Sequence, residues 1–324
     1  MQLAWNRTPK EELRFVSQQL DTSTVIATAT KYLHNLSGHV FDLLTVTKPI
    51  TPDAAMNLSK VISKLSPLLG NMIEFNTVEF LNDQEEFHGH GEWERQDPGF
   101  PDAIFKGVHP TPGFEIKAWF PLATEITARF KDSQNHFVDD NTYVCMLAWL
   151  PEHILYGKPY ILDVVVVSGA SVAYARDTHY HNPPDYLVME PEDTTTRTRN
   201  LQQTNTNGYK LQNSARVEVA EAEKLVASWG PDGRKYKPTP EYQAQLRELF
   251  GQFTYRLDTN YAKMDRIVHN ELEAFKTRVL DREVNGLTVR QWERLFRSNN
   301  EAEIKYVLEQ KLGITEGDTG ELLR

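Results

Sequence analysis

The chain has 324 residues, 40% hydrophobic, 25% charged and 10% aromatic, the composition of an ordinary globular protein with one large or two modest hydrophobic cores. Its net charge of −10 speaks against nucleic acid as a partner for the surface as a whole, although an acidic protein can still present a local basic groove. The single cysteine, Cys145 in the apolar run YVCMLAWL, excludes an intrachain disulfide and fits a reducing, intracellular compartment.

The opening MQLAWNRTPKEELRF lacks the basic and apolar regions of a signal peptide, and apolar runs of about ten residues are too short to span a bilayer, so no membrane partner is expected. The first eighty residues read as helical. Thr8-Pro9-Lys10-Glu11 combines a capping box with proline at the first helical position, and Thr51-Pro52 and Ser66-Pro67 repeat the cap-then-proline signal. Leu58, Val61, Ile62 and Leu65 fall at helical spacing, and a helix from Pro67 to about Leu81 carries Glu74 and Glu79. From 88 to 170 the character changes to strands: FHGHGEWER, DAIFKGV, GFEIKAWF, TYVCMLAWL and PYILDVVVVSG. ILDVVVV is apolar apart from Asp163, as expected of a strand covered on both faces. Residues 121–140 include a helical piece in this reading. A helix follows in ASVAYARDTHYH and a short strand at YLVMEP. Residues 194–216 form a long polar loop, and helices return in VEVAEAEKLVASW, in one run from Glu241 to Phe275, in TVRQWERLF and in EIKYVLEQKL, with PDGRKYKPTP as a linker. The fold class is α/β: helices, then a mixed sheet, then a helical tail.

The chemistry concentrates in GFPDAIFKGVHPTPGFEIKAW, residues 99–119. Glu115 and Lys117, two apart on a strand, project to one face while Ile116 points the other way. A hairpin brings the Asp102 carboxylate beside Glu115. Two converging carboxylates suit a hard divalent cation such as Mg²⁺, with Mn²⁺ as a substitute. A lysine beside them can position or deprotonate an attacking water, or stabilise charge on a phosphate. Two other acid-x-Lys triplets begin at Glu303 and Glu309, in a helical stretch where residues two apart do not share a face. The simpler reading is a hairpin with charges on its wet face.

The order helix, hairpin, strand with P-D-(x)12-E-I-K resembles the PD-(D/E)XK nuclease superfamily over residues about 66 to 170, and with the polar loop the chain is similar to a type II restriction endonuclease. The resemblance implies a restriction-endonuclease-like mixed sheet flanked by helices. It makes Asp102 and Glu115 metal ligands, the Ile116 carbonyl a third, and Lys117 the catalytic lysine. LLGNMIEF supplies the Gly70 and Glu74 of the family's G-x-x-x-E arrangement, so Glu74 completes the catalytic set. An ideal helix from Pro67 instead puts Glu79 on one face with Leu68, Met72 and Phe75, and Glu79 competes for the role. The resemblance further implies residues 1–230 as catalytic and recognition core, 231–324 as a helical region for dimerisation or DNA contact, a homodimer, and a prokaryotic cytoplasmic restriction-modification setting.

The run 194–216 holds four basic residues and no acidic one. Arg197, Arg199, Asn200, Gln202, Gln203, Asn205, Asn207 and Lys210 are the groups that read base edges and bind phosphates in double-stranded DNA. Arg290, Arg294 and Arg297 lie along a later helix for which a structural or dimerisation role is expected. Two HxH pairs, His88/His90 and His179/His181, support a rival reading as a zinc-dependent hydrolase. A repair or structure-selective nuclease and a non-catalytic DNA-binding protein are also compatible with these residues. No phosphate-binding glycine loop or nucleophile elbow occurs, so no nucleotide cofactor is expected.

Overall fold

A computed structural model describes residues 20–96, 99–123, 129–130, 134, 137, 140–179, 187–188, 208–211, 216–233, 237, 239–253, 255–258, 262–263 and 267–315. Helix α1 (Thr22–Asn35) starts where Asp21 accepts the Thr24 N–H at 2.7 Å, and its buried stripe is Val25, Ile26, Ala29 and Leu33. Helix α2 (Pro52–Val61) opens with the Thr51 cap and proline, as expected. Ser66-Pro67 does not repeat that cap. A 3₁₀ turn (Ile62–Leu65) feeds directly into α3 (Ser66–Asn82), so Ser66 is already helical and buried.

The main sheet contains β1 (Glu92–Arg95), β2 (Ala103–Lys106), β3 (Gly113–Trp119), β5 (Thr142–Pro151) and β6 (Pro159–Ser168) in the order β1-β2-β3-β5-β6. β1, β2 and β3 form an antiparallel meander, β5 runs parallel to β3, and β6 returns antiparallel to β5. The short β4 (Arg129–Phe130) lies in the connection between β3 and β5. Ala118 and Trp119 are neighbours on β3 and point to opposite faces. The Ala118 Cβ lies under Gly70 of α3, while Trp119 packs on Phe275 of a later helix, so helices cover both faces. β6 is an edge strand, closed in part by main-chain pairing with residues 38–41, while Val46 pairs with Gly157 in the turn before it. Its Asp163 accepts from the Arg278 Nε at 2.8 Å, which accounts for the one acid in the apolar run.

The strand expected from Phe87 is shorter. A 3₁₀ turn (Glu85–Phe87) and a turn through His90 precede β1, with Gly89 at φ 78°. A Cβ on Gly91 would stand 2.1 Å from the Lys106 carbonyl oxygen, so only glycine lets β1 start there.

Helix α4 (Gly169–His179) follows β6 as read, with Arg176 and Asp177 paired at 2.6 Å and buried beneath it. β7 (Leu187–Val188), β8 (Gly208–Leu211) and β9 (Tyr255–Asp258) form a small sheet. α5 (Arg216–Ser228) and α6 (Pro240–Gln252) share a cluster of Ala222, Val226, Tyr242, Leu246 and Leu249, with the expected boundary at 230/231 falling between them. The single helix expected from Glu241 to Phe275 is broken. α6 ends at Gln252, the alternating YRLD becomes β9, β10 (Ala262–Lys263) pairs with β4, and α7 (Asn270–Asp281) begins afresh. Strand pairing satisfies backbone groups that helical spacing of side chains alone would have assigned to a helix.

The hairpin β11 (Glu283–Val284) and β12 (Leu287–Thr288) leads to α8 (Val289–Arg297), which starts with a full capping box between Thr288 and Gln291. α9 (Glu301–Leu312) is strapped to α2 by Lys60–Glu301 at 2.7 Å and by Lys305–Asp53. Leu272, Phe275, Trp292, Ile304 and Leu308 join the core beneath the main sheet. Among the described residues no helix is long and apolar enough to cross a membrane.

Candidate active site

β2 and β3 pair at one end only, Ala103 with Phe114 and Ile104 with Gly113. At Asp102 the chain turns away, tied to the end of β1 by the Gln96 N–H donating to its carbonyl at 2.8 Å. Among the described residues no strand covers this edge of β3 from Glu115 to Trp119. Alternate residues of a strand present their N–H and C=O groups to the same edge. Ile116 and Ala118 therefore face the opening, and acids take their N–H groups. Asp102 Oδ2 accepts Ile116 N–H at 2.8 Å, and Glu74 Oε1 accepts Ala118 N–H at 3.4 Å.

Lys117 closes the constellation. Its Nζ lies 2.5 Å from Glu115 Oε1, 3.2 Å from Asp102 Oδ2 and 3.3 Å from the Ile116 carbonyl oxygen. Three oxygens, two from β3 and one from the bend before β2, thus converge on one cation. Glu115 is 7% exposed, so its charge is held by partners rather than by water. Burial pulls the Lys117 ammonium toward neutrality, but Glu115, Asp102 and Glu74 outweigh it and hold its pKa above the usual lysine value. Glu74 behaves oppositely: burial pushes its carboxyl up to about 7, against the attraction of Lys117.

The helix position of Glu74 follows from packing. Gly70, one turn earlier, lies so close to β3 that a Cβ added there would stand 3.5 Å from the Ala118 Cβ, and Glu74 reaches the Ala118 N–H from the same side. The face shared by Leu68, Phe75 and Glu79 is the outer one, with Leu68 56% and Phe75 47% exposed. Glu79 is not brought to the site.

Asp102, Glu115, Ile116, Lys117 and Glu74 are therefore together. The donor chemistry fits a hard cation: two carboxylates and one carbonyl, all oxygen, surround a point already occupied by positive charge. Among the described residues no group of three or more His, Cys, Asp or Glu side chains is gathered as a metal cage. Here it is the lysine ammonium that stands between the carboxylates.

The remaining expected residues lie elsewhere. Arg197, Arg199, Asn200, Gln202, Gln203, Asn205 and Asn207 lie outside the described residues, and Lys210 sits on β8 opposite Arg256. His88 and His90 stand on the turn at the start of β1, level with Lys106 and at the opposite end from Asp102. His179 ends α4, and His181 lies outside the described residues. Cys145 is buried, which pushes its thiol up and removes it as a nucleophile.

One neighbour of the site is not legible in the sequence pattern alone. Arg95 ends β1 opposite Ala103, and its guanidinium lies over the exposed Phe75 ring at 6.0 Å from the centroid. The signal was the alternation in EWER, which places Arg95 on the face of the buried Trp93. Separately, a cavity of about 820 Å³ opens between α4 and the start of α7, lined by Ser171, Tyr174, Val268 and His269, and holds none of the site residues. Comparison of the chain with protein-family models, with curated proteins and with solved structures gave no match.

Proposed function

We propose that this chain is a Mg²⁺-dependent endonuclease that hydrolyses phosphodiester bonds in double-stranded DNA at specific sequences, in the manner of a type II restriction enzyme. The observation that carries the reading is the convergence of Asp102 Oδ2, Glu115 Oε1 and the Ile116 carbonyl on the Lys117 ammonium at an open strand edge. In this reading α3, the meander β1-β2-β3 and the parallel β5 form a restriction-endonuclease-like core of the PD-(D/E)XK kind.

Asp102, Glu115 and the Ile116 carbonyl would hold Mg²⁺, with Mn²⁺ as substitute. When bound, the ion polarises a phosphoryl oxygen and makes its water more acidic. The chain's own groups do the rest. Asp102 Oδ2 is kept in place by the Ile116 N–H, so the oxygen that faces the Lys117 ammonium keeps a fixed direction. With no ion bound, Lys117 is held protonated among three acids; the ion would take the place of its ammonium between the carboxylates, leaving Lys117 beside them to stabilise charge developing on the phosphate. Glu74, which holds the Ala118 N–H, would complete the acidic set from the α3 side.

Sequence recognition is assigned to the acid-free run 194–216 and its Arg197, Arg199, Asn200, Gln202, Gln203, Asn205, Asn207 and Lys210. A homodimer is the working unit, since one such site cuts one strand and a two-fold axis matches a palindromic target. The test is plasmid cleavage in Mg²⁺ by wild type, Asp102→Ala and Lys117→Ala, with DNA band shifts in Ca²⁺. Discrete fragments from wild type alone, with binding retained by the variants, support the proposal. Normal cutting by either variant, or no cutting by wild type, overturns it.

A further inference from the structure

We infer that Arg95 is a phosphate anchor for the substrate strand and that Phe75 is the positioning residue that aims it; this rests on the nuclease reading above. Three observations place Arg95 beside the proposed site. Arg95 is exposed at the last position of β1, paired across to Ala103, the residue after Asp102. The next residue, Gln96, donates its N–H to the Asp102 carbonyl at 2.8 Å, so the end of β1 is tied to Asp102. The Arg95 charge is also near enough to Glu74 to favour its ionised form.

Sheet geometry then sets the direction of approach. Arg95 shares a face with Trp93, which packs on Phe87 and Phe114 on the α3 side. Lys117 shares its face with Trp119, on the α7 side. The two cations therefore flank the carboxylates from opposite sides of the sheet. A phosphodiester backbone crossing the open edge of β3 would meet Lys117 at the bond to be cut and Arg95 at an adjoining phosphate.

Phe75 explains itself in the same terms. It is a large apolar side chain left 47% exposed, one position after Glu74, with no part in the core. Its ring lies under the Arg95 guanidinium at 6.0 Å. Stacking on an aromatic face restrains the planar group and so fixes the plane in which its N–H edge would meet a phosphate. Lysine would keep the charge but lose the stacked orientation.

The test uses the full-length protein and a plasmid fragment that wild type cleaves. Binding is measured in CaCl₂ as a function of KCl, and cleavage kinetics in MgCl₂. Arg95→Ala should lower the slope of log Kd against log salt by about 0.9, the share of one phosphate, and raise KM about tenfold with kcat nearly unchanged. Arg95→Lys should keep the salt slope. Phe75→Ala should raise KM in the same direction; Phe75→Tyr should restore it and Phe75→Leu, which fills apolar volume without an aromatic face, should not, whereas a role in packing alone would let both restore it. Wild-type slope and KM in Arg95→Ala, while Asp102→Ala is dead, overturn this inference and leave the nuclease reading standing. Absence of Mg²⁺-dependent cleavage by wild type overturns the nuclease reading itself.

Discussion

Replacing Glu74 with glutamine isolates the cost of burying one charge. The variant keeps a side-chain oxygen for the Ala118 N–H and removes only the ionisation. In the folded protein burial lifts the Glu74 carboxyl from 4.5 to about 7, opposed by Lys117 and reinforced by Asp102. Below pH 4.5 the group is protonated folded or unfolded, and contributes nothing. Between 4.5 and 7 the folded state keeps a proton that the unfolded state has released, so stability falls as pH rises. Above about 7 the penalty is complete. Its ceiling is roughly 3 kcal/mol, and partial solvent contact brings it to about 1.5–3 kcal/mol. Glu74→Gln should therefore nearly match wild type at pH 4, gain as pH rises past 4.5, and exceed wild type by that amount at pH 8. Urea denaturation across this range, in EDTA so that no divalent ion alters the surroundings, reads the difference directly. A variant that gains nothing between pH 5 and pH 8 would show that Glu74 is solvated, and the placement of α3 against β3 would be wrong.

Other expectations follow from the same packing. Lys117→Met should cost about 3–5 kcal/mol in EDTA, because Glu115 and Asp102 lose the cation between them, and millimolar Mg²⁺ should restore part of the loss in a thermal melt. A Lys117→Met protein that melts with wild type in EDTA contradicts the ion-pair geometry. Asp177→Asn should lower stability by about 3 kcal/mol by taking the adjacent carboxylate from the buried Arg176; an unmoved urea midpoint would mean the pair is not buried. Thr288→Ala removes the cap of α8 and should cost about 1 kcal/mol in the same measurement, whereas a neutral result would argue against the capping box.

Strand alternation made the central set legible. Glu115 and Lys117 had to share a face, and the proline-flanked turn had to bring Asp102 near them. The helix acid was harder to read. α3 is apolar on more than one side, with Leu69, Ile73, Val78 and Leu81 buried and Leu68 and Phe75 outside. Spacing alone therefore pointed to Glu79, and it is the close approach of Gly70 to Ala118 that turns Glu74 toward β3. The break after Gln252 was missed because YRLD finds its partner in β8, more than forty residues earlier in the chain. Arg95 was missed because its meaning depends on where β1 ends, and β1 ends where two glycines shorten it at the start and Asp102 holds it at the finish.

The half-zipped hairpin has one more consequence. An uncovered row of main-chain N–H and C=O groups is what a foreign extended chain would pair with, and such edges invite self-association. On β3 the Asp102 and Glu74 carboxylates occupy those donors, so the acids of the site also act as its guards against unwanted strand partners. Removing the Asp102 side chain therefore takes away a carboxylate of the proposed site and uncovers a sticky edge in one stroke. Asp102→Asn, which keeps an acceptor for the Ile116 N–H, is the cleaner test of the proposed role, since it removes the charge and leaves that edge covered.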